Sequence, residues 1–434
     1  MNSLKNPPEW GIEPVPFQHR LLRGMDYFIL WSNLGVGLLV FSAGSFLSEA
    51  SFIDAMLAIV IGSFVGSFLL ALAGKIGSDH AIPSIVSIRP SFGIYGSYLP
   101  AVLNIIQLIG WTIFEIMIMS KAAELLVGKF VPFYAWSIIF GAFVALLGIL
   151  GPLKVIQQWL GKFAIWIVYA SSIIIIISFM TSQNLSRLFL SPGSGMSFFS
   201  ALDIVIAMPI SWMPIAADYN RFAKNSNSAL RATVMGFAIT NILFYFGGML
   251  LGATDVVAII SAIQSIFFGF FILVLIVNET DNTFADVYSA AVSFQNVYRK
   301  INQRYLIFGF TSLSAVLAMI IPIVQYETFI LLIGAVFVPL FGVVLSDYYI
   351  VRNRKYTEDM LYGKGALKIG FKSLVSWSIG GLVYYLLSSI SPIHIAELPQ
   401  IGATIPSLVV SSSLYLIISI FTRGKGTKVT EHSP

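Results

Sequence analysis

Trp31-Ser32-Asn33-Leu34-Gly35-Val36-Gly37 interrupts an apolar run that extends from about residue 25 to 47. Two glycines and two polar residues stand amid Leu, Val and Phe, in a segment long enough to cross roughly 30 Å of hydrocarbon. At that depth the backbone can leave helical geometry only where it lines a cavity or is buried in protein. The stretch therefore predicts a broken span with a binding site beside it. A second stretch, Ala207-Met208-Pro209-Ile210-Ser211-Trp212-Met213-Pro214, puts two prolines five apart in the sixth apolar run. These are the lead spans of two five-helix halves, the pattern of an inverted repeat with both lead helices broken at mid-membrane. The competing reading is that Gly37 and Gly44 serve close helix packing and that the prolines only kink.

Composition supports a membrane solvent. Of 434 residues, 57% are hydrophobic and only 10% charged, with a mean hydropathy of +0.87; a soluble domain usually carries about a quarter charged residues. Cysteine is absent, which excludes disulfide frameworks, thiolate metal sites and cysteine nucleophiles. The polar, Pro-containing N-terminus has no apolar core before Leu21 and does not read as a cleaved signal peptide.

A window of about 19 residues gives spans near 25–47, 52–73, 98–126, 133–151, 160–180, 199–216, 233–254, 262–291, 305–323, 327–350, 373–391 and 403–421. The expected organisation is a cytoplasmic tail over 1–24 and a ten-helix core over 25–350, with repeats at about 25–180 and 199–350. A cytoplasmic loop over 351–372, two additional spans over 373–421 and a tail over 422–434 complete it. With both termini cytoplasmic in a multi-pass cell-membrane protein, only Lys121, Lys129 and Arg187 of the 25 basic residues fall outside. Lys5, Lys154, Lys162, Lys425 and Lys428 are among those inside. This asymmetry fits the positive-inside rule and explains the net charge of +5 without nucleic acid. The polar stretches 74–97 and 351–372 have room for an interfacial helix or hairpin. There is no GxxxxGK[ST] phosphate loop, so transport would draw on a gradient or be passive.

Polar residues inside spans mark the candidate site. Gln107, Trp111 and Glu115 are spaced i, i+4, i+8 and share one face of the third span. A carboxylate at membrane depth must face a cavity or a partner, and the indole beside it offers a surface on which a planar heterocycle can stack. In the eighth span, Asn278-Glu-Thr-Asp281-Asn282-Thr283-Phe-Ala-Asp286 follows an apolar run. Such oxygen ligands suit Na+, and the carboxylates could instead carry protons. Glu279 and Asp286 are balanced between that role and the cytoplasmic end of the helix. Asp218 with Arg221, and Asp347 with Arg352, read as anchors or gating pairs at the inner face, without substrate contact.

The chain resembles the nucleobase–cation symporter family from about Leu21 to Arg354. The carriers are Leu57-Ala-Ile-Val-Ile-Gly62, Arg89-Pro-Ser-Phe-Gly-Ile-Tyr-Gly-Ser97, Gly110-Trp111, Ala217-Asp-Tyr-Asn-Arg-Phe-Ala223 and Ser346-Asp-Tyr-Tyr349. Ser211-Trp-Met-Pro and Thr283-Phe-Ala-Asp-Val-Tyr-Ser289 look most like its hydroxymethylpyrimidine/cytosine branch. The resemblance implies an all-α integral membrane protein of about twelve transmembrane helices: two inverted five-helix repeats (the LeuT-like fold) plus two C-terminal helices. It implies Trp111, Glu115, Gln107, Ser211, Trp212, Met208, Val36 and Thr283 around the substrate. It further implies Asn33, Leu34, Gly35, Asn278, Asp281 and Asn282 around the cation. Pro209 stands where a second stacking aromatic is expected, with Trp212 as its replacement. Asp281 and Asn282 stand in place of paired hydroxyls, so both Na+ and H+ remain open as coupling ion.

The expected activity is alternating-access import of a nucleobase or related planar heterocycle by cation symport. No enzymatic role and no cofactor are expected, and a monomer suffices, although an oligomer is compatible. The alternatives are an amino-acid or other small-solute carrier of the same repeat fold, and, from a different class, a channel or sensory membrane protein. His19, His80, His394 and His432 all fall in loops or tails, which argues against an intramembrane enzyme.

Overall fold

The computed structural model describes residues 10–128, 130–150, 164–182, 189–253, 256–266, 269–322, 326–388 and 401–423. Lys5, Lys129, Lys154, Lys162, Arg187, His394, Lys425, Lys428 and His432 lie outside the described residues, as do residues 1–9 and 424–434 of the two tails. The helices, in order, are α1 Gly24–Leu34, α2 Leu38–Phe46, α3 Phe52–His80, α4 Ser84–Ser87, α5 Arg89–Phe92, α6 Tyr98–Val127, α7 Phe133–Leu150, α8 Ala164–Ser182 and α9 Phe198–Ser211. They continue with α10 Met213–Asn220, α11 Ser226–Leu251, α12 Val256–Gln264, α13 Phe270–Val297, α14 Gln303–Ala318, α15 Tyr326–Leu345, α16 Glu358–Tyr362, α17 Phe371–Leu387 and α18 Thr404–Arg423. Among the described residues, seven helices are long and apolar enough to cross a bilayer, or eight with the bent α1–α2 pair counted as one span.

Polar caps fix several of the starts. Ser51, Ser197 and Asn225 accept the backbone N–H groups of Asp54, Ser200 and Ser228, which open α3, α9 and α11; each satisfies a donor that has no partner inside the helix. Two boundaries depart from the sequence reading. The eighth span does not begin at 262: α12 ends at Gln264, and Gly269, at a φ of +80°, turns the chain before α13 begins at Phe270. The second span runs past 73 to His80, so the polar stretch 74–97 is partly helix and then the short α4 and α5. Loop 351–372 holds α16.

Bilayer lipid gives helices little hydrophobic reason to associate, so close packing of small residues matters. Gly62, Gly66 and Gly77 of α3 lie against Val205, Pro209 and Ala217 of α9 and α10. On α2, a Cβ at Gly44 would lie 2.5 Å from the Tyr245 carbonyl oxygen of α11. These crossings hold α3 and α11 beside the two lead spans, while α6 packs along α13. Lipid-length apolar side chains such as Ile61, Val65, Ile138 and Ile174 face outward.

Candidate functional site

The first lead span is broken where its glycines predict. α1 stops at Leu34, α2 starts at Leu38, and the two axes differ by 63°. Val36 N–H closes a tight turn on the Asn33 carbonyl at 3.0 Å, and Gly37 is fully extended. A broken ladder leaves carbonyls that must find other donors. Asn278 Nδ2 donates to the Asn33 carbonyl at 2.9 Å, and Asn282 Nδ2 to the Val36 carbonyl at 2.7 Å. Their spacing of four puts both amides on one face of α13. These amide groups, expected around a cation, are thus engaged as donors to the very carbonyls that such an ion would use. The Glu279 carboxylate oxygens would lie 3.4 and 3.6 Å from a Cβ at Gly37, beside the start of α2. On the far side, Trp31 Nε1 donates to Asn220 Oδ1 at 2.9 Å, tying α1 to the end of α10. Leu34 and Asn33 are buried, and so is Asp281.

The second lead span corrects the sequence reading. Phe198–Asn220 remains one 23-residue span, interrupted only at Trp212, whose φ of −87° and ψ of −11° stay in the right-handed helical region. Trp212 N–H bonds the Pro209 carbonyl at 3.2 Å, and Ile215 N–H bonds that of Trp212. Pro214 falls in the first turn of α10, where a missing N–H costs nothing. Pro209 finds room because Gly66 of α3 has no side chain; a Cβ there would come within 2.7 Å of the proline ring. Ser211 Oγ donates to the Met208 carbonyl at 2.7 Å, and the Trp212 indole meets Trp31 edge-on at 6.5 Å and Phe237 at 6.5 Å.

The α6 face is buried along its length, with Gln107, Trp111 and Glu115 at most 9% exposed. Gln107 Nε2 donates to Asn104 Oδ1 at 2.8 Å, and Asn104 in turn donates to Ser293 of α13. The Trp111 indole meets Tyr326 and Phe329 of α15 edge-on at 6.0 and 5.4 Å. Glu115 is buried where α6 packs along α13, and on α13 the Thr283 hydroxyl donates to the Glu279 carbonyl at 2.8 Å. Among the described residues, Gln107 Oε1 and Glu115 Oε2 are buried without any hydrogen-bond partner. Two bare acceptors thus flank the indole on one helix face.

Glu279 and Asp286 are interior groups and not part of a solvated helix end: they are 1% and 2% exposed. Their spacing with Thr283, at i, i+4 and i+7, puts all three on one face of α13. Tyr326 of α15, absent from the sequence-derived set, packs its ring against Trp111 and Phe114 of α6.

At the end of the bundle where α10 and α15 finish, Asp347 forms the expected ion pair with Arg352, whereas Arg221 reaches Asp218 only at its backbone carbonyl. Asp218 accepts from the Ser84 N–H at 2.8 Å, and Arg221 donates to the Gly11 carbonyl and the Tyr288 hydroxyl at 2.7 and 2.6 Å. Asp347 pairs with Arg352 at 2.9 Å and accepts from Tyr356 and Tyr415. Arg89 donates to Asn296 Oδ1 and the Leu361 carbonyl, and burial lowers the pKa of its guanidinium. Gly93, at a φ of +87°, lets the chain pass within van der Waals reach of the Lys368 backbone, where Tyr95 N–H bonds the Lys368 carbonyl at 2.9 Å.

A bundle of membrane-length helices with one span opened onto buried, unpartnered polar groups is the layout of a solute permease. The chain belongs to the family described as permeases for cytosine/purines, uracil, thiamine and allantoin, whose model matches residues 14–398. It is 24% identical over 399 residues to the hydantoin permease of Microbacterium maritypicum, covering 83% of this chain and 79% of that one. To the cytosine permease of Escherichia coli strain K12 it is 22% identical over 381 residues, covering 83% and 86%. Among solved structures it is similar to Mhp1, a nucleobase-cation-symport-1 family transporter in a closed conformation with bromovinylhydantoin bound. The TM-score is 0.78 at 20% identity, covering 99% of this chain and 98% of that one. The inward-facing conformation of Mhp1 gives a TM-score of 0.78 at 19% identity, covering 98% and 96%. The fold is therefore all-helical and LeuT-like, and the protein is an integral membrane transporter, not an enzyme.

Proposed function

We propose that this permease imports a planar nitrogen heterocycle, a nucleobase or a related pyrimidine or hydantoin-like ring, by cation symport with alternating access. The observation that carries the reading is the pair of bare acceptors, Gln107 Oε1 and Glu115 Oε2, either side of the Trp111 indole on one buried helix face. A buried acceptor left unpaired costs about 1–3 kcal/mol, so the site is matched to a ligand bearing ring N–H or amino donors. An indole face adds stacking for the flat ring. Thr283 and Ser211 contribute hydroxyls, and Val36, Met208 and Trp212 form the apolar walls around the lead spans. Named relatives that carry hydantoin and cytosine support the same chemical class.

The architecture we infer is twelve spans, with α12 as a short helix ahead of the eighth. Repeats at about 25–180 and 199–350 and two further spans over 373–421 would make up the bundle, with both termini on the cytoplasmic side of the cell membrane. The coupling cation is Na+ or H+. In a thermal-shift panel of nucleobases, hydantoins and amino acids, heterocycles should stabilise the purified protein and amino acids should not. Glu115→Gln should weaken amino-substituted rings about tenfold or more, since hydrogen bonds to charged groups contribute about 1.5–3 kcal/mol. Unchanged affinity for every such ring would remove Glu115 from the site.

A further inference from the structure

Gln107, Asn104 and Ser293 form a chain of side-chain hydrogen bonds that runs in one direction. Gln107 Nε2 donates to Asn104 Oδ1 at 2.8 Å, and Asn104 Nδ2 donates to the Ser293 hydroxyl oxygen of α13 at 2.8 Å. None of the three residues is more than 3% exposed. A side-chain amide carries its donors on one arm and its acceptor on the other. Holding the nitrogen of Gln107 on Asn104 therefore decides which arm is left over. That arm is Oε1, which has no hydrogen-bond partner among the described residues.

We propose that Asn104, anchored by Ser293, is a positioning residue that sets the polarity of the Gln107 amide and makes the site select a ring N–H or amino donor. This rests on the transport reading above and deepens it by naming the edge of the heterocycle that is selected and the residues that select it. Asn104 and Ser293 act through Gln107 and need not touch the ring. Turned end for end, with Ser293 donating to Asn104 Oδ1 and Asn104 Nδ2 donating to Gln107 Oε1, the same three residues would present an N–H and select an acceptor. The direction in the structure selects donors.

Two physical effects make the chain more than a brace between α6 and α13. Hydrogen bonds in series polarise one another, and an amide that donates through its nitrogen has a more basic oxygen. Gln107 Oε1, at the end of the series, is thus a stronger acceptor than the oxygen of a lone glutamine. The second effect acts on rejection. To meet a ring carbonyl, the Gln107 amide would have to turn over, break its 2.8 Å bond and leave Asn104 Oδ1 buried and unpaired. A site whose polar groups are stranded in this way discriminates strongly against the ligand that lacks the matching group. Asn104 and Gln107 are three apart and so neighbours on the α6 surface. Trp111 follows Gln107 by one turn on the same face, which places the selected edge on the ring that stacks against the indole.

The test reconstitutes the full chain in proteoliposomes and measures counterflow of labelled cytosine and hydantoin against analogues that each lack one donor. Pyrimidin-2-one lacks the amino group of cytosine, and succinimide has a methylene in place of one ring N–H of hydantoin. In the wild type at least one such deletion should raise the inhibition constant about tenfold or more. In Asn104→Leu the Gln107 amide is free to turn, and that same penalty should fall to about threefold or less, with the cost of the other deletions unchanged. Asn104→Asp, which keeps an acceptor for Gln107 Nε2, should restore it. Ser293→Ala, at the far end of the chain, should lower the penalty part of the way and serves as the second variant if the leucine protein does not fold. A mere loss of packing between α6 and α13 would weaken parent and analogue alike and leave their ratio where it was. Every wild-type ratio intact in a folded Asn104→Leu or Ser293→Ala protein would overturn the proposal. So would an Asn104→Asp protein as unselective as Asn104→Leu, or a wild type that exchanges the rings but is indifferent to every donor deletion. Wild-type liposomes that exchange neither ring would overturn the transport reading itself, and the positioning role with it.

Discussion

The two lead spans carry similar warnings in sequence and respond to them in opposite ways. At Trp31–Gly37 the helix comes apart and bends by 63°; at Ala207–Pro214 it stays a single span with one residue out of pattern. Glycine removes the side chain that holds a helix in one basin and lowers the cost of leaving it. Proline only removes a donor and adds a ring, and both defects are met locally here. Pro214 sits in a first turn that needs no donor, and the ring of Pro209 fits against Gly66. A further difference lies in the neighbours. The break in the first span is held open by two amides from α13, whereas the sixth span mends itself with its own short-range hydrogen bonds.

That contrast can be broken most directly at the amides. Asn278→Ala with Asn282→Ala would leave the Val36 carbonyl without its amide donor, at about 1–3 kcal/mol, and strip the Asn33 carbonyl of its side-chain donor while the Val36 N–H stays on it. Thermal unfolding in detergent should show a large loss of stability, and a near-neutral result would mean that the break is not held by α13. Gly44→Ala comes next. Its Cβ would meet backbone of α11 at 2.5 Å, so overpacking of about 1–3 kcal/mol should lower the melting temperature and push α2 away from α11. Pro214→Ala should have the smallest effect, within about 1 kcal/mol, because the first turn of α10 asks nothing of that position. A large change there would show that the sixth span depends on its proline after all.

The same contrast explains what the sequence could and could not reveal. The break at Gly35–Gly37 and the Gln107–Trp111–Glu115 face are local patterns, legible from composition and helical spacing alone. That the sixth span stays one span across its interruption at Trp212 was not legible, because the room for Pro209 comes from a glycine more than a hundred residues away on α3. Nor was the burial of Glu115 against the polar half of α13, which exists only because α6 packs along α13. Read by themselves, Glu279 and Asp286 looked as much like a helix end as part of a site. The amides of Asn278 and Asn282 were recognised as important, but their action as donors to the broken span depends on where α1 and α2 part. The true start of α13 was hidden by an apolar run that continues across Gly269.

The account stands on a water-accessible pocket at the break of the first span, next to Trp111. The natural absence of cysteine makes a direct measurement available: Val36→Cys in the otherwise unchanged chain, treated with a membrane-impermeant thiol reagent during turnover. The account predicts labelling that a transported heterocycle blocks at concentrations near its transport KM. A thiol at position 36 that never reacts, or that reacts equally with and without every transported ring, would contradict it.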